Sequence, residues 1–209
     1  FDHLGVDTDS EVDDGDAVDA GATVLTTGGP ARETLRAERV AVNLAGHASG
    51  VATKTSEAVE RAAEVNSDVR IAGTRKTTPG LREIEKRAVV AGGGDTHRLD
   101  LSHMVMIKEN HIAEMGLETA VETFREQASF ATKIEVEAES TEQARRAAEA
   151  GADIVLLDNM TPAETEDAVD ALGDTEADVL TEASGGISVN DVADYAATGV
   201  DIISMGSLT

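Results

Sequence analysis

From residue 69 onward the chain alternates between two kinds of segment, and that alternation limits the folds open to it. Short apolar runs, VRIAG (69–73), MVMIK (104–108), KIEVEAE (133–139), DIVLLD (153–158), DVLTEAS (178–184) and DIISMG (201–206), read as strands. Between most of them lie helix-like segments, 81–91, 117–128, 141–150, 162–172 and 189–198, with Thr141 and Pro162 as helix starts. Continuous runs such as IVLL and VMI suit strands covered on both faces. Strands and helices alternating over short links imply a parallel sheet, open or closed into a barrel. The segments DIVLLDN, ASGGIS and DIISMGS favour the barrel, since late strands ending in Gly/Ser loops resemble a barrel's phosphate grip. Residues 31–66 carry helical spacing and predict two helices around a break at Gly46–Gly50. Residues 1–30, rich in Gly and Asp, predict short strands and turns left over from a separate small domain. The expected division is therefore 1–30, 31–66 and 67–209. A start at Phe1 and an end at Ser-Leu-Thr read as a fragment of a longer protein.

Asp and Glu number 41 against 17 Lys and Arg, a formal charge of −24, while aromatics make up only 2 %. Such a balance can signal disorder, but apolar residues at 41 % in regular periods argue for a folded core under an acidic skin. That skin repels itself in dilute buffer and is relieved by salt, so the composition suggests a halophile's protein. No basic face is left for nucleic acid. No apolar run approaches a membrane span. The absence of cysteine excludes disulfides and thiolate metal sites and makes a cytoplasmic location the default.

In parallel α/β architectures function gathers at the C-terminal ends of the strands. There the chain places GTRKTTPG (73–80), then Lys108-Glu109-Asn110-His111, Glu135 and Glu137, Asp158-Asn159, Ser184-Gly185-Gly186 and Gly206-Ser207. Cations are concentrated: seven of the 17 (Arg75, Lys76, Arg82, Lys86, Arg87, Arg98 and Lys108) fall between 75 and 108. Arg82, Lys86 and Arg87 lie on a predicted helix and read as a solvated face. Arg75, Lys76, Arg98 and Lys108 lie at strand ends or in a glycine-rich link, where they would bind an anion with more than one negative group. His97, beside Arg98, joins them. His3 and His47, with no polar constellation near them in the sequence, read as structural or exposed, and His103 and His111 flank a strand, with His111 placed either to cap or to bind. No HxH or HExxH spacing supports zinc. Glu137 and Asp158, on adjacent strands, could share Mg²⁺ with substrate phosphates; composition alone favours plain strand-edge or cap carboxylates.

The ordered set TRKTTPG, GGGDTHRLDLSHMVMIKENH, IEVE, LLDN, EASGGI and ISMGSLT resembles the quinolinate phosphoribosyltransferase family, and the upstream AERVAVNLAGHASGVATKT is similar to that family's helical entry segment. The resemblance implies an incomplete parallel α/β barrel preceded by part of a small α/β sandwich domain. It implies a Mg²⁺-dependent transfer of phosphoribose from phosphoribosyl pyrophosphate to quinolinate with decarboxylation, giving nicotinate mononucleotide, CO₂ and pyrophosphate for NAD synthesis. It implies a homodimer or larger assembly of dimers. It also implies that Arg75, His97, Arg98 and Lys108 hold the quinolinate carboxylates and that Arg39 reaches into the partner subunit's site. Lys76 would meet the phosphoribosyl substrate, and Glu137 and Asp158 the metal-bridged ribose and pyrophosphate. Ser184, Gly185 and Gly206 would cradle the 5′-phosphate. Two other readings stand beside it: a related barrel protein of the molybdenum-transport-associated type, and a non-catalytic phosphosugar- or dicarboxylate-binding protein.

Overall fold

The computed structural model describes residues 1–99 and 104–209. A two-stranded antiparallel ribbon opens the chain, β1 (Asp7–Ser10) paired with β2 (Leu25–Gly28). One 33-residue helix follows, α1 (Ala31–Ala63). The expected break at Gly46–Gly50 is not there. A helical glycine costs about 1 kcal/mol relative to alanine, and Ala45, Ala48 and Ala52 lie close to both glycines. The C-terminal half of α1 also buries Val51, Thr55, Ala58 and Ala62 along one stripe. That anchoring outweighs the two glycines and keeps the helix in one piece. The N-terminal half leaves Leu35, Val40, Val42 and Leu44 exposed.

Six parallel strands form the body: β3 (Arg70–Gly73), β4 (Met104–Ile107), β5 (Lys133–Ala138), β6 (Ile154–Asp158), β7 (Leu180–Ser184) and β8 (Ile202–Met205). They stand in the order β3-β8-β7-β6-β5-β4. Each strand is hydrogen-bonded to its neighbour in that order, so the open seam falls between β3 and β4. The helices α2 (Arg82–Ala91), α3 (Glu109–Met115), α4 (Leu117–Gln127), α5 (Thr141–Glu149), α6 (Pro162–Gly173) and α7 (Val192–Ala196) connect the strands. Helix α3 went unpredicted, because seven residues are too few to display a period. Helix α6 starts as its sequence dictates, with Thr161 accepting from the Glu164 amide in a capping box and Pro162 in the first turn.

Strand alternation sorts the side chains. Ile71, Ile107, Ile134, Val136, Val155, Leu157, Ala183 and Ile203 pack outward into two apolar clusters beneath the helices. The opposite faces carry Met106, Glu135, Glu137, Leu156, Asp158, Glu182, Ser184 and Ser204 inward. The ladder registers place Glu135 beside Met106 and Ile154, and Glu182 beside Leu156 and Ile202. The seam is partly filled by the glycine-rich link. Asp95 adds a parallel bridge to Ala72, with Gly73 N–H donating to Asp95 O (2.9 Å) and Asp95 N–H to Ile71 O (2.8 Å). This close approach needs glycine: a Cβ on Gly92 would stand 2.7 Å from Thr55 Cβ of α1.

Candidate active site

The polar residues expected at the strand ends converge. His97 follows the seam-filling link, and its Nε2 lies 3.0 Å from Glu182 Oε2 on β7 and 3.6 Å from Glu135 Oε1 on β5. The second distance is an ion-pair contact, too long for a hydrogen bond. These contacts show that the edges of the sheet curl toward each other, since a side chain beside β3 meets β7 and also β5, one strand from the opposite edge. Arg98 spans the same seam, its Nη2 2.9 Å from Met106 Sδ on β4. Lys108, at the end of β4, pairs with Glu137 of β5. Asp158 ends β6 and accepts a 2.7 Å bond from Asn159 Nδ2.

Electrostatics follow from this packing. Burial by itself would depress the His97 pKa, but Glu135 and Glu182 outweigh it and push the imidazole up to about 10. His97 is therefore a fixed cation at neutral pH. Glu135 is fully buried, and burial raises its carboxyl above the ordinary range. Burial and the charge of Glu137 raise Asp158. Burial, with help from Arg75, lowers Arg98, while Glu135, Glu182 and Glu137 hold it up. His97, Glu135 and Glu182 are close enough together to ligate a cation, but the imidazolium already occupies that position and Arg98 lies close by.

Arg75 follows β3 half-buried, and its buried Nε lacks a hydrogen-bond partner among the described residues. Lys76 is exposed, and its charge acts on Asp158 across the barrel mouth. Gly206, opening the turn after β8, lies so close to Lys76 that a Cβ there would touch Lys76 Cδ at 3.4 Å. Ser184 ends β7, and its carbonyl accepts from the Asn159 amide (2.8 Å). Gly185 has φ +110°, and a Cβ would come within 2.7 Å of Asn159 Cα, so the loops after β6 and β7 close on each other only over a glycine. Arg75, Lys76, His97, Arg98, Lys108, Glu137, Asp158, Ser184, Gly185 and Gly206 thus share one end of the barrel. Arg39 does not join them: it is exposed on the outer half of α1 and makes no hydrogen bond or ion pair with them among the described residues.

Family models match both parts of the chain: quinolinate phosphoribosyl transferase, N-terminal domain, over residues 1–49, and quinolinate phosphoribosyl transferase, C-terminal domain, over residues 51–209. The chain belongs to the quinolinate phosphoribosyltransferase family. It is 51 % identical over 200 residues to a probable carboxylating nicotinate-nucleotide pyrophosphorylase of Methanothermobacter thermautotrophicus, covering 94 % of this chain and 72 % of that protein. It is 44 % identical over 189 residues to the human carboxylating nicotinate-nucleotide pyrophosphorylase, covering 90 % and 64 %. The solved nicotinate-nucleotide pyrophosphorylase of Francisella tularensis superposes with a TM-score of 0.90 at 35 % identity, covering 98 % of this chain and 71 % of that one. The expected α/β architecture, a parallel barrel sheet with a small antiparallel element before it, is the one this phosphoribosyltransferase has.

Three readings of single residues need correction. Lys86 was expected on a solvated face, yet it is 2 % exposed, and its Nζ donates to Gly73 O (3.0 Å) and Thr96 O. Arg82 is partly buried and bonds Thr77 Oγ1 (3.1 Å) and Arg75 O (3.3 Å), so of the three only Arg87 lies in solvent. His47, expected to lack a polar partner, contacts Glu85 Oε1 at 2.8 Å. His111 caps: its Nδ1 accepts from the Lys108 amide (3.0 Å). His103 lies outside the described residues. Sequence reasoning missed Glu182 as a partner of His97. The available signal was an acid between buried residues in LTEAS, on the face opposite Ala183.

Proposed function

We propose that this protein transfers the phosphoribosyl group of phosphoribosyl pyrophosphate to the ring nitrogen of quinolinate and removes one carboxylate as CO₂, yielding nicotinate mononucleotide and pyrophosphate. One observation carries the reading. A chain of charge −24 gathers Arg75, Lys76, His97, Arg98 and Lys108 at one barrel mouth, with a buried Arg75 donor that has no partner among the described residues. Quinolinate is a dianion and its co-substrate a polyanion, so this is where scarce positive charge is useful.

In this reading Arg75, His97, Arg98 and Lys108 hold the two quinolinate carboxylates. His97 acts through its charge, because an imidazolium with a pKa of about 10 is a poor base at neutral pH. Lys76 meets the phosphoribosyl substrate, and the backbone amides of Ser184, Gly185 and Gly206 receive its 5′-phosphate. The nitrogen attacks the ribose carbon as pyrophosphate leaves, and Glu137 and Asp158 stabilise the positive charge that develops there. The new ring cation then accepts the electron pair released with CO₂, and the ring carbon takes a proton from solvent. Fixed positioning and charge balance are the protein's contribution. Glu137 and Asp158 also suit Mg²⁺: they are oxygen donors on adjacent strands, close enough for one carboxylate to raise the other's pKa. Bound there, Mg²⁺ supplies charge neutralisation for pyrophosphate departure.

The exposed apolar side chains Leu35, Val40, Val42 and Leu44 on the N-terminal half of α1 support a homodimer, or a larger assembly of dimers, built on that helix, with Arg39 entering the partner's site. The acid excess supports a salty cytoplasm as its home. No described helix is long and apolar enough to cross a membrane.

The test is incubation with quinolinate, phosphoribosyl pyrophosphate and Mg²⁺ in molar salt; failure to form nicotinate mononucleotide overturns the reading. Site sharing is tested by mixing inactive Arg39→Ala and Lys108→Ala proteins. Shared sites restore up to about a quarter of wild-type activity at a one-to-one statistical mix, whereas sites built within one chain restore none.

A further inference from the structure

Two consecutive residues of α2 are buried charges that the reaction does not use. Glu85 is 0 % exposed and commits both oxygens: Oε1 to His47 Nε2 (2.8 Å), Oε2 to the Thr78 amide (3.0 Å). Lys86 is equally sequestered, and its ammonium donates to two backbone carbonyls, Gly73 O and Thr96 O. It makes no ion pair among the described residues. These partners are not scattered. Gly73 ends β3 just before Arg75 and Lys76, and Thr78 lies in the same loop. Thr96 immediately precedes His97 and Arg98. His97 itself sits at φ +52°, a conformation a side-chain-bearing residue keeps only when its neighbours impose it. Besides Lys86 at Thr96, the Asp95 carboxylate helps impose it by accepting the His97 amide at 2.7 Å.

We infer that Glu85 and Lys86 position the two cationic loops of the site, Glu85 by holding Thr78 and Lys86 by tying Gly73 to Thr96. The assignment to substrate positioning rests on the function proposed above. Stability alone gives no reason for an ammonium here. Burial is the chief cause that depresses Lys86, to about 8; the charges of Arg82, Arg98 and Arg75 add to it, and Asp95 offsets it only in part. An apolar side chain would avoid this repulsion but could not bridge the two carbonyls. The ammonium fixes the spacing between the Arg75–Lys76 loop and the His97–Arg98 link, and so the separation at which two carboxylates of one ligand are gripped.

The experiment compares Lys86→Met, Lys86→Gln and Glu85→Ala with the wild-type protein by amide hydrogen exchange and by kinetics. The expected result for Lys86→Met is faster exchange confined to 73–80 and 94–98, with KM for quinolinate raised about tenfold or more and kcat changed by less than about threefold. Glu85→Ala should loosen 74–80 and leave 94–98 protected. Lys86→Gln retains one donor and gives the same readout if the methionine variant does not fold. Unchanged exchange in both segments overturns the inference, and so does loosening spread through the whole barrel. If wild-type protein forms no nicotinate mononucleotide, the proposed function fails while the exchange pattern still decides whether Glu85 and Lys86 hold the loops.

Discussion

Ile134 and Glu135 are neighbours on β5, both fully buried, and they face opposite ways. Ile134 points outward into an apolar shell with Val121, Ala144, Ala147 and Val155. Glu135 points inward to His97, near Glu182 and Arg98. The outer face obeys packing, where volume and apolarity decide. The inner face obeys charge balance, where each buried ion is tolerable only because another faces it. Both faces lie on the same strands, so each strand meets two requirements in alternate residues.

The sharpest break of this contrast is to exchange the rules. Ile134→Glu puts a carboxylate where no cation waits, and a loss of several kcal/mol should leave little folded protein. Glu135→Gln on the next residue should keep the fold, because the amide matches the carboxylate in shape and Glu182 still faces His97. Thermal melting of the two variants checks the pair, and similar melting points would refute the division of faces.

Within the inner face, Asp158→Asn should lower turnover by about a hundredfold or more without lowering the melting temperature. The sign follows from its raised pKa. A carboxyl that holds its proton more tightly when folded loses stability as pH rises past its unfolded value, so at neutral pH the charge is a burden that asparagine removes. Full turnover in this variant would reduce Asp158 to a structural partner of Asn159. Arg75→Ala should act more mildly, weakening quinolinate binding by about tenfold to a hundredfold through one lost charge-assisted contact. Calorimetric titration measures it, and unchanged affinity would remove Arg75 from the site.

The two faces also differ in how openly the sequence shows them. Outward residues repeat, so IVLL, VMI and the helical segments between them reveal every barrel strand to within two residues at either end. Arg75, Lys76, His97 and Arg98 could be found because glycines or a proline stand close to them in strand-end loops and links, and Lys108 because it directly follows the VMI run. What stayed hidden was pairing. Glu182 looks like one more acid in an acid-rich chain until β7 and the seam are folded together. Glu85 and Lys86 sit in REIEKR, a segment with the composition of a solvated helix face, and their burial depends on a loop and a link that approach from elsewhere. Gly46 and Gly50 misled in the opposite direction, since local propensity marks a stop that the anchoring of Val51 to Ala62 overrides.

The smallest effect tests whether the inner charges are balanced as a set. His97 is raised to about 10 from 6.5, so its contribution to stability is complete below pH 6.5 and is lost as pH rises through 10. Lys86 is lowered to about 8 from 10.5, so its folded form sheds a proton that the unfolded chain keeps, and stability is regained between pH 8 and 10.5. Each slope is at most about 1.4 kcal/mol per pH unit. From pH 6.5 to 8 only His97 acts, and unfolding free energy should fall. From 8 to 10 the two slopes oppose, and the curve should flatten. Denaturant titrations across this range, at constant high salt to screen the acidic skin, give the profile. His97→Gln should abolish the fall below pH 8 and uncover a rise above it, whereas Lys86→Met should let the fall continue toward pH 10. If neither variant changes the profile, the cations and acids of the barrel interior are not the coupled set that their distances describe.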